Sequence, residues 1–277
     1  MSVGVRYMLI ATFTFALMNV LVKYVPHIPA TEIILFRSVV SFSYSLIVLR
    51  IQKVNIWGNN QKILIMRGVA GAIALILFFM LLQRIPLATA STLSYLAPIF
   101  TTILGIFLVK EKVKPVMWLF FATSFMGIVL IQGVDARISI SDLLIGILST
   151  FFMGLAYNFI RVLKNTEHPL VIIFYFPLVT IPIVGIMSIF NWVMPTGIDW
   201  LVLIGIGALT QVAQFYMTKA YQAEAVAKVS IVNYTSIIYS LSFGFILFDE
   251  TFGWLTYIGM TLVLFGVILS VIFKNRK

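Results

Sequence analysis

Apolar runs close to twenty residues long recur along the whole chain, separated by short connectors. A run of that length crosses the ~30 Å hydrocarbon core of a bilayer as a helix. Lipid offers no partner to a backbone N–H or C=O, so the helix must satisfy its own. Ten spans fit: residues 5–25, 31–50, 64–83, 88–109, 115–131, 143–163, 169–190, 200–221, 226–248 and 253–273. Pro115 and Pro169 stand at helix starts, and the polar turns 55–60 and 195–197 separate neighbouring runs. Nothing resembles the ~10-residue alternating segments of a membrane β-barrel. Composition agrees, with 61% hydrophobic and 10% charged residues, against about 25% charged in soluble domains. The expected fold class is an all-α integral membrane protein of ten transmembrane helices without a soluble domain. Residues 8–22 follow Arg6 as a signal peptide would, but Lys23, Tyr24 and Val25 follow in place of a small-residue cleavage site, so this run reads as a retained helix.

The chain also matches itself at an offset of 139 residues. Gln83/Gln222, Ala88/Ala227, Ser91/Ser230, Tyr95/Tyr234, Gly105/Gly244, Glu111/Glu250 and Gly127/Gly266 coincide, and far upstream Asn19 falls on Asn158. Self-similarity at one period implies repeated architecture, here residues 1–138 and 139–277. Five spans per half make the second repeat enter the membrane upside down. The charges follow this inversion: Lys110, Lys112 and Lys114 align with Asp249, Thr251 and Gly253. With the N-terminus in the cytoplasm, of the 19 Lys and Arg only Lys23, Arg37, Arg84 and Arg137 fall outside, so the positive-inside rule places both termini in the cytoplasm. This distribution, rather than any basic patch, accounts for the net charge of +10, and no nucleic-acid partner is expected. Inverted repeats of this kind build secondary transporters, with the site near midplane where the repeats meet.

Polar side chains inside a span must find a partner or line water, which makes them the candidates for substrate contact. Asn19 and Asn158 bracket the midplane, each with a base one turn on, Lys23 and Arg161. They either tie helices together or touch substrate, and the bases read as snorkelling to the interface. The eighth span carries Gln211, Gln214, Thr218 and Gln222 on one helical face, with Lys219 adjacent. The matching face of the third span is mostly apolar, as a cavity lining for an asymmetric substrate would allow. Ser91, Ser94, Pro98 and Thr101, matched at the 139-residue offset by Ser230, Asn233, Ile237 and Ser240, read mainly as close helix packing. Beside them, Tyr95, Tyr234 and Asn233 are candidates for ligand contact. Arg37 lies deep enough in the second span to require a partner from another helix or an anionic ligand, since Glu32 points elsewhere around the helix. Pro177 and Pro182 make the seventh span either a gate or a static kink. No Asp or Glu occupies the middle third of any span, so no carboxylate proton relay is visible and anionic or zwitterionic solutes are favoured over cations.

Several motifs resemble the EamA type of the drug/metabolite transporter superfamily: Thr31-Glu32-Ile33-Ile34-Leu35-Phe36-Arg37, Arg67-Gly68, Pro86-Leu87-Ala88-Thr89-Ala90 with Pro98, Lys110-Glu111-Lys112 before Gly127, and Asp249-Glu250-Thr251 before Gly266. In the second half Ile237 replaces the expected proline and Phe176 lies opposite Arg37. The resemblance implies ten helices around a central cavity lined by the first, third, fourth, sixth, eighth and ninth, and export of amino acids, nucleotide-like metabolites, sugars or drugs.

The expected function is a secondary transporter, exporter or exchanger, of small polar organic metabolites, working by alternating access in the bacterial cytoplasmic membrane. The alternative is a lipid-linked sugar or phospholipid flippase. An enzyme is disfavoured: the chain has no cysteine, only His27 and His168, both at helix ends, and no metal-ligand spacing, so no cofactor or metal is expected. The partners expected are the small-molecule substrate and membrane lipid. Gly259 and Gly266 suit packing within the chain or between the subunits of a homodimer.

Overall fold

The structure, a computed structural model, describes residues 2–108, 110, 115–134, 137–163, 166–223, 232 and 234–275. Eleven helices are described: α1 Val3–Tyr24, α2 Ala30–Ile51, α3 Gln61–Arg84, α4 Leu87–Ser94, α5 Ala97–Leu108, α6 Val116–Val134, α7 Ile140–Leu163, α8 Pro169–Ile189, α9 Asp199–Ala223, α10 Ser236–Phe248 and α11 Trp254–Asn275. No strand occurs among the described residues. Seven stretches are long and apolar enough to cross a membrane, with α4 and α5 together forming one of them. Shorter apolar helical stretches cover Val116–Ile131, Ser236–Phe248 and Trp254–Leu269. The chain is therefore a multi-pass helical membrane protein. Its outer surface suits lipid: Met126, Val129, Ile186, Ile189, Phe245 and Ile246 are all exposed, and no water-facing polar stripe is required of such helices.

Local chemistry sets the helix ends. Asn60 caps α3 by accepting from the Ile63 N–H at 3.4 Å, and Pro169 opens α8 behind His168, whose ring accepts from the Leu170 N–H at 3.3 Å. α10 ends on Asp249 in the left-handed region, φ 50°, with the Glu250 N–H returning to the Gly244 carbonyl at 3.0 Å. Lys110, 139 residues earlier, has φ 55°. A non-glycine residue is uncommon in this region, and both positions precede the repeated glutamate.

Two spans differ from expectation. The fourth, expected to run unbroken over 88–109, is split at Tyr95 and Leu96 into α4 and α5. Pro98 cannot donate to the Ser94 carbonyl and disfavours the helix just before it. The ninth, expected over 226–248, is interrupted by a turn at Tyr234 and Thr235 between helical Val232 and the helix from Ser236, while residues 226–231 and 233 lie outside the described residues. The two breaks are in register at the 139-residue offset, although Ile237 stands in place of the proline.

α1 packs against α9, α3 against α7, α2 against α8, and α6 against α11, with α4 meeting α10 near the middle. The main apolar core gathers Ile33, Phe79, Leu82, Leu87, Leu93 and Val263, all fully buried. Glycines allow the closest approaches. A Cβ on Gly127 would lie 2.6 Å from the Gly259 carbonyl oxygen, and one on Gly266 would lie 2.4 Å from that of Phe120. Gly259 and Gly266 thus serve packing of α11 on α6 within one chain.

Candidate functional site

α2, α8 and α9 enclose a cavity of about 220 Å³, walled in part by Tyr44, Ser45, Ile173, Gln211, Gln214 and Phe215. Its mouth carries Gln52, His168 and Lys219, all exposed, at the C-terminal end of α2, the start of α8 and the last turns of α9. A second space of about 10 Å³ is bounded by Arg37, Ser41, Arg67, Ile173, Phe176, Thr210 and Gln214. It is near the smallest volume that holds one water molecule. The two spaces share Ile173 and Gln214, so the smaller is the inner end of the larger. Pro177, buried in α8, leaves the carbonyl of Ile173 without its helical donor, on a residue that borders both spaces.

The inner end is rich in donors. Arg37, 5% exposed, has its guanidinium 5.5 Å from the Phe79 ring centre, and that of Arg67 lies 4.7 Å from the ring centre of Phe176. Arg37 Nη1, Arg67 Nε and Nη1 and Thr210 Oγ1 there, and Gln211 Nε2 on the larger cavity, are buried without a hydrogen-bond partner among the described residues. No carboxylate lines either space. A guanidinium resting on an aromatic face gains some stabilisation, much less than a buried charge loses with its water.

The opposite end of the bundle is closed by polar contacts. Lys23 Nζ, at the end of α1, lies 2.5 Å from Glu250 Oε1 and donates to the Ile85 carbonyl at 2.9 Å. Both Glu250 carboxylate oxygens accept from the Leu87 N–H at 2.9 Å. Pro86 gives α4 no side-chain cap, so Glu250, just beyond α10, supplies one and places its charge at the positive end of the helix. The Gln83 side chain donates to the Ile28 carbonyl, Asp199 faces His27 at 3.2 Å, and Glu32 accepts from the Val193 N–H. Lys23 was expected to snorkel to the interface; the structure corrects this, because Glu250 reaches it inside the bundle.

The other expected residues separate by role. Gln211, Gln214, Lys219 and Arg37 are brought together at the two spaces. Asn158 is fully buried, donates to the carbonyls of Thr101 and Gly154, and accepts from Arg161, which joins α7 to α5 and occupies its amide. Asn19, on α1, keeps Oδ1 buried and unpartnered among the described residues but borders neither space. Tyr95 and Tyr234 meet edge to face at 5.1 Å, and the Tyr95 hydroxyl bonds Ser236. With Ser91 on Ser240 at 2.7 Å, these contacts link the two broken spans. Pro182 is exposed on α8. Asn233 and the side chain of Thr218 lie outside the described residues.

Sequence reasoning missed Arg67, Ser41 and Thr210 as lining residues. The apolar run of the third span begins at residue 64, so Arg67 reads as an interfacial base; α3 begins earlier, at Gln61, and carries Arg67 inward.

A helical membrane bundle with a largely apolar cavity into which a few polar side chains project has the form of a transporter, and the sequence relationships agree. The signature of the EamA-like transporter family matches residues 2–133 and again residues 140–272. The chain belongs to this family, within the drug/metabolite transporter superfamily, and is a transmembrane transporter rather than an enzyme. It is similar to the pseudopaline exporter CntI of Pseudomonas aeruginosa, 29% identical over 269 residues, covering 96% of this chain and 94% of the exporter. Human solute carrier family 35 member G1 is 29% identical over 273 residues, 92% of this chain and 75% of its own. A solved crystal structure shares the fold with a TM-score of 0.65 at 17% identity, over 99% of this chain and 97% of its own.

Proposed function

We propose that the chain is a secondary transporter of small polar organic metabolites, such as amino acids or nucleotide-like compounds, working by alternating access in the bacterial cytoplasmic membrane. The observation that carries this reading is the asymmetry of the bundle: a cavity opens at one end, while the other is closed by the part-buried Lys23–Glu250 bridge on the Leu87 N–H. Substrate enters between α2, α8 and α9, meets Gln211, Gln214 and Arg37, and leaves when the Lys23–Glu250 end parts. Lys219 guards the mouth, the Pro177 and Pro182 region of α8 bends, and Asn19 supplies an acceptor as the cavity shifts. Asn158, Tyr95 and Tyr234 hold the walls, with Thr218 and Asn233 completing the polar face. Export follows the Pseudomonas relative, which is named as an exporter.

Alternating access needs two interchangeable halves, and ten spans in two inverted repeats, 1–138 and 139–277, provide them. Three observations support that arrangement. The family signature matches twice at nearly the same spacing. The packing of α1 on α9 becomes that of α7 on α3 under the 139-residue shift. The turns before Glu111 and Glu250 share one left-handed residue each. Both termini then face the cytoplasm, on the side of the cavity mouth. A homodimer remains compatible, formed on a surface other than the glycine face of α11.

The test is counterflow in proteoliposomes loaded with radiolabelled amino acids or nucleotides. Wild-type protein is expected to exchange at least one solute across the bilayer, and Gln214→Ala to slow that exchange about tenfold or more. Movement of fluorescent phospholipid or lipid-linked sugar between leaflets without any solute exchange would replace this reading with a flippase.

A further inference from the structure

Two guanidiniums border one space that is barely large enough for a single water molecule, and no carboxylate lines it or the cavity beyond. Arg37 is buried at 5% exposure with Nη1 unpartnered, and Arg67 leaves both Nε and Nη1 unpartnered among the described residues. Thr210 Oγ1, beside them, is also unpartnered and can donate. Each cation forgoes its hydration in so small a space. An arginine kept for stability would normally face a carboxylate or a carbonyl. These two rest on the faces of Phe79 and Phe176, which keep them in the bundle without using up their donor edges.

We infer that Arg37 and Arg67 form an anion seat at the inner end of the cavity, and that the transported metabolite carries a carboxylate or phosphate group held by both guanidiniums. This deepens the transporter reading and rests on it. The planar fork of arginine matches either oxyanion through paired hydrogen bonds. The rest of the substrate occupies the 220 Å³ cavity, against Gln214 and Gln211. The inner space is smaller than the anionic group, so binding swings the guanidiniums off their rings to meet it. The two arginines come from different parts of the bundle, α2 and α3, and Phe176 and Thr210 from α8 and α9. An anion bridging the two arginines and Thr210 joins α2, α3 and α9 and releases Arg67 from Phe176 on α8, which ties occupancy of the site to the movement of the bundle.

The experiment is thermal melting of the purified full chain, at constant ionic strength, with millimolar glutamate, citrate, glycerol phosphate and nucleoside monophosphates. Glucose serves as the neutral control, and choline and spermidine as cations. The wild type is expected to be stabilised by at least one anion. Arg37→Gln and Arg67→Gln are each expected to weaken that anion's apparent affinity at least tenfold. Without anion, Arg37→Gln should melt no lower than wild type, because it removes a buried charge with no carboxylate beside it; a merely structural arginine would do the reverse. Comparison of the carboxylates with the phosphates identifies the group. Stabilisation by neutral or cationic solutes alone overturns the inference, as does an absence of stabilisation by any anion, or an anion shift that both variants retain. Counterflow with the same solutes separates the two levels. If none is moved, the transporter reading fails with the inference; if only neutral or cationic solutes are moved, equally by wild type and Arg37→Gln, the inference fails alone.

Discussion

Glu250 performs two tasks with one carboxylate, neutralising Lys23 and capping α4. Gly244 makes the posture possible, since a Cβ there would come within 2.5 Å of Glu250 Oε2. Removing one member of a fully buried pair costs about 3–5 kcal/mol; with Lys23 part-exposed the cost here is smaller, about 1–3 kcal/mol. Glu250→Gln and Lys23→Met are therefore each expected to lower the melting temperature markedly. The double variant should melt above the sum of their effects, which a double-mutant cycle would read directly. Additive losses would mean that the two side chains act independently. Little of this contact is visible in sequence: Lys23 and Glu250 lie 227 positions apart, each at the end of an apolar run, where a charge normally turns to water. The polar face of α9 was legible, because Gln211 and Gln214 declare themselves by helical spacing within an apolar run. Arg67 was hidden by its place near the start of its run.

Breaks in the spans belong to the element scale. Proline explains the split between α4 and α5, yet the turn at Tyr234 and Thr235 forms with Ile237 where the proline would be. Packing between the two breaks must therefore hold them, through Tyr95 on Tyr234, Tyr95 on Ser236 and Ser91 on Ser240. Pro98→Ala is expected to change stability by less than about 1 kcal/mol, because it restores a donor to a turn that other contacts fix. Tyr95→Phe should cost about 1–2 kcal/mol by leaving the Ser236 hydroxyl without its partner. Melting of the two variants side by side checks the order, and a larger loss in Pro98→Ala would make proline the cause of the break. The close pair α6 and α11 gives a firmer expectation. A Cβ on Gly127 meets the Gly259 backbone oxygen at 2.6 Å and the Val263 backbone nitrogen at 2.9 Å, neither of which can rotate away. Gly127→Ala should destabilise the protein by about 1–3 kcal/mol. The repeat had marked Gly127 and Gly266 in sequence; the broken spans were obscured because a turn of buried apolar residues looks like uninterrupted helix.

At the scale of the whole molecule, the proposed arrangement of two inverted five-span repeats makes a prediction about which surface faces which compartment. With an odd number of spans in each half, loops equivalent by the 139-residue shift would emerge on opposite sides of the membrane. Lys53, just after α2, and Trp192, just after α8, are equivalent by that shift, and both are exposed. The loop at Lys53 is basic, whereas residues 191–200 contain Asp199 and no base, as the positive-inside rule requires of opposite faces. The sequence contains no cysteine, so a single introduced thiol reports on one position alone. Lys53→Cys is expected to react with a membrane-impermeant maleimide only in inside-out vesicles, and Trp192→Cys only in intact spheroplasts. Labelling of both from the same side would make the repeats parallel, and the exchange of equivalent gates on which alternating access depends would be lost. Labelling from opposite sides, with Lys53 inside, would place the cavity mouth in the cytoplasm. The guanidiniums of Arg37 and Arg67 would then stand at the inner end of a path from the cytoplasm, where an exporter must first meet its substrate, with the Lys23–Glu250 bridge still closed on the far side.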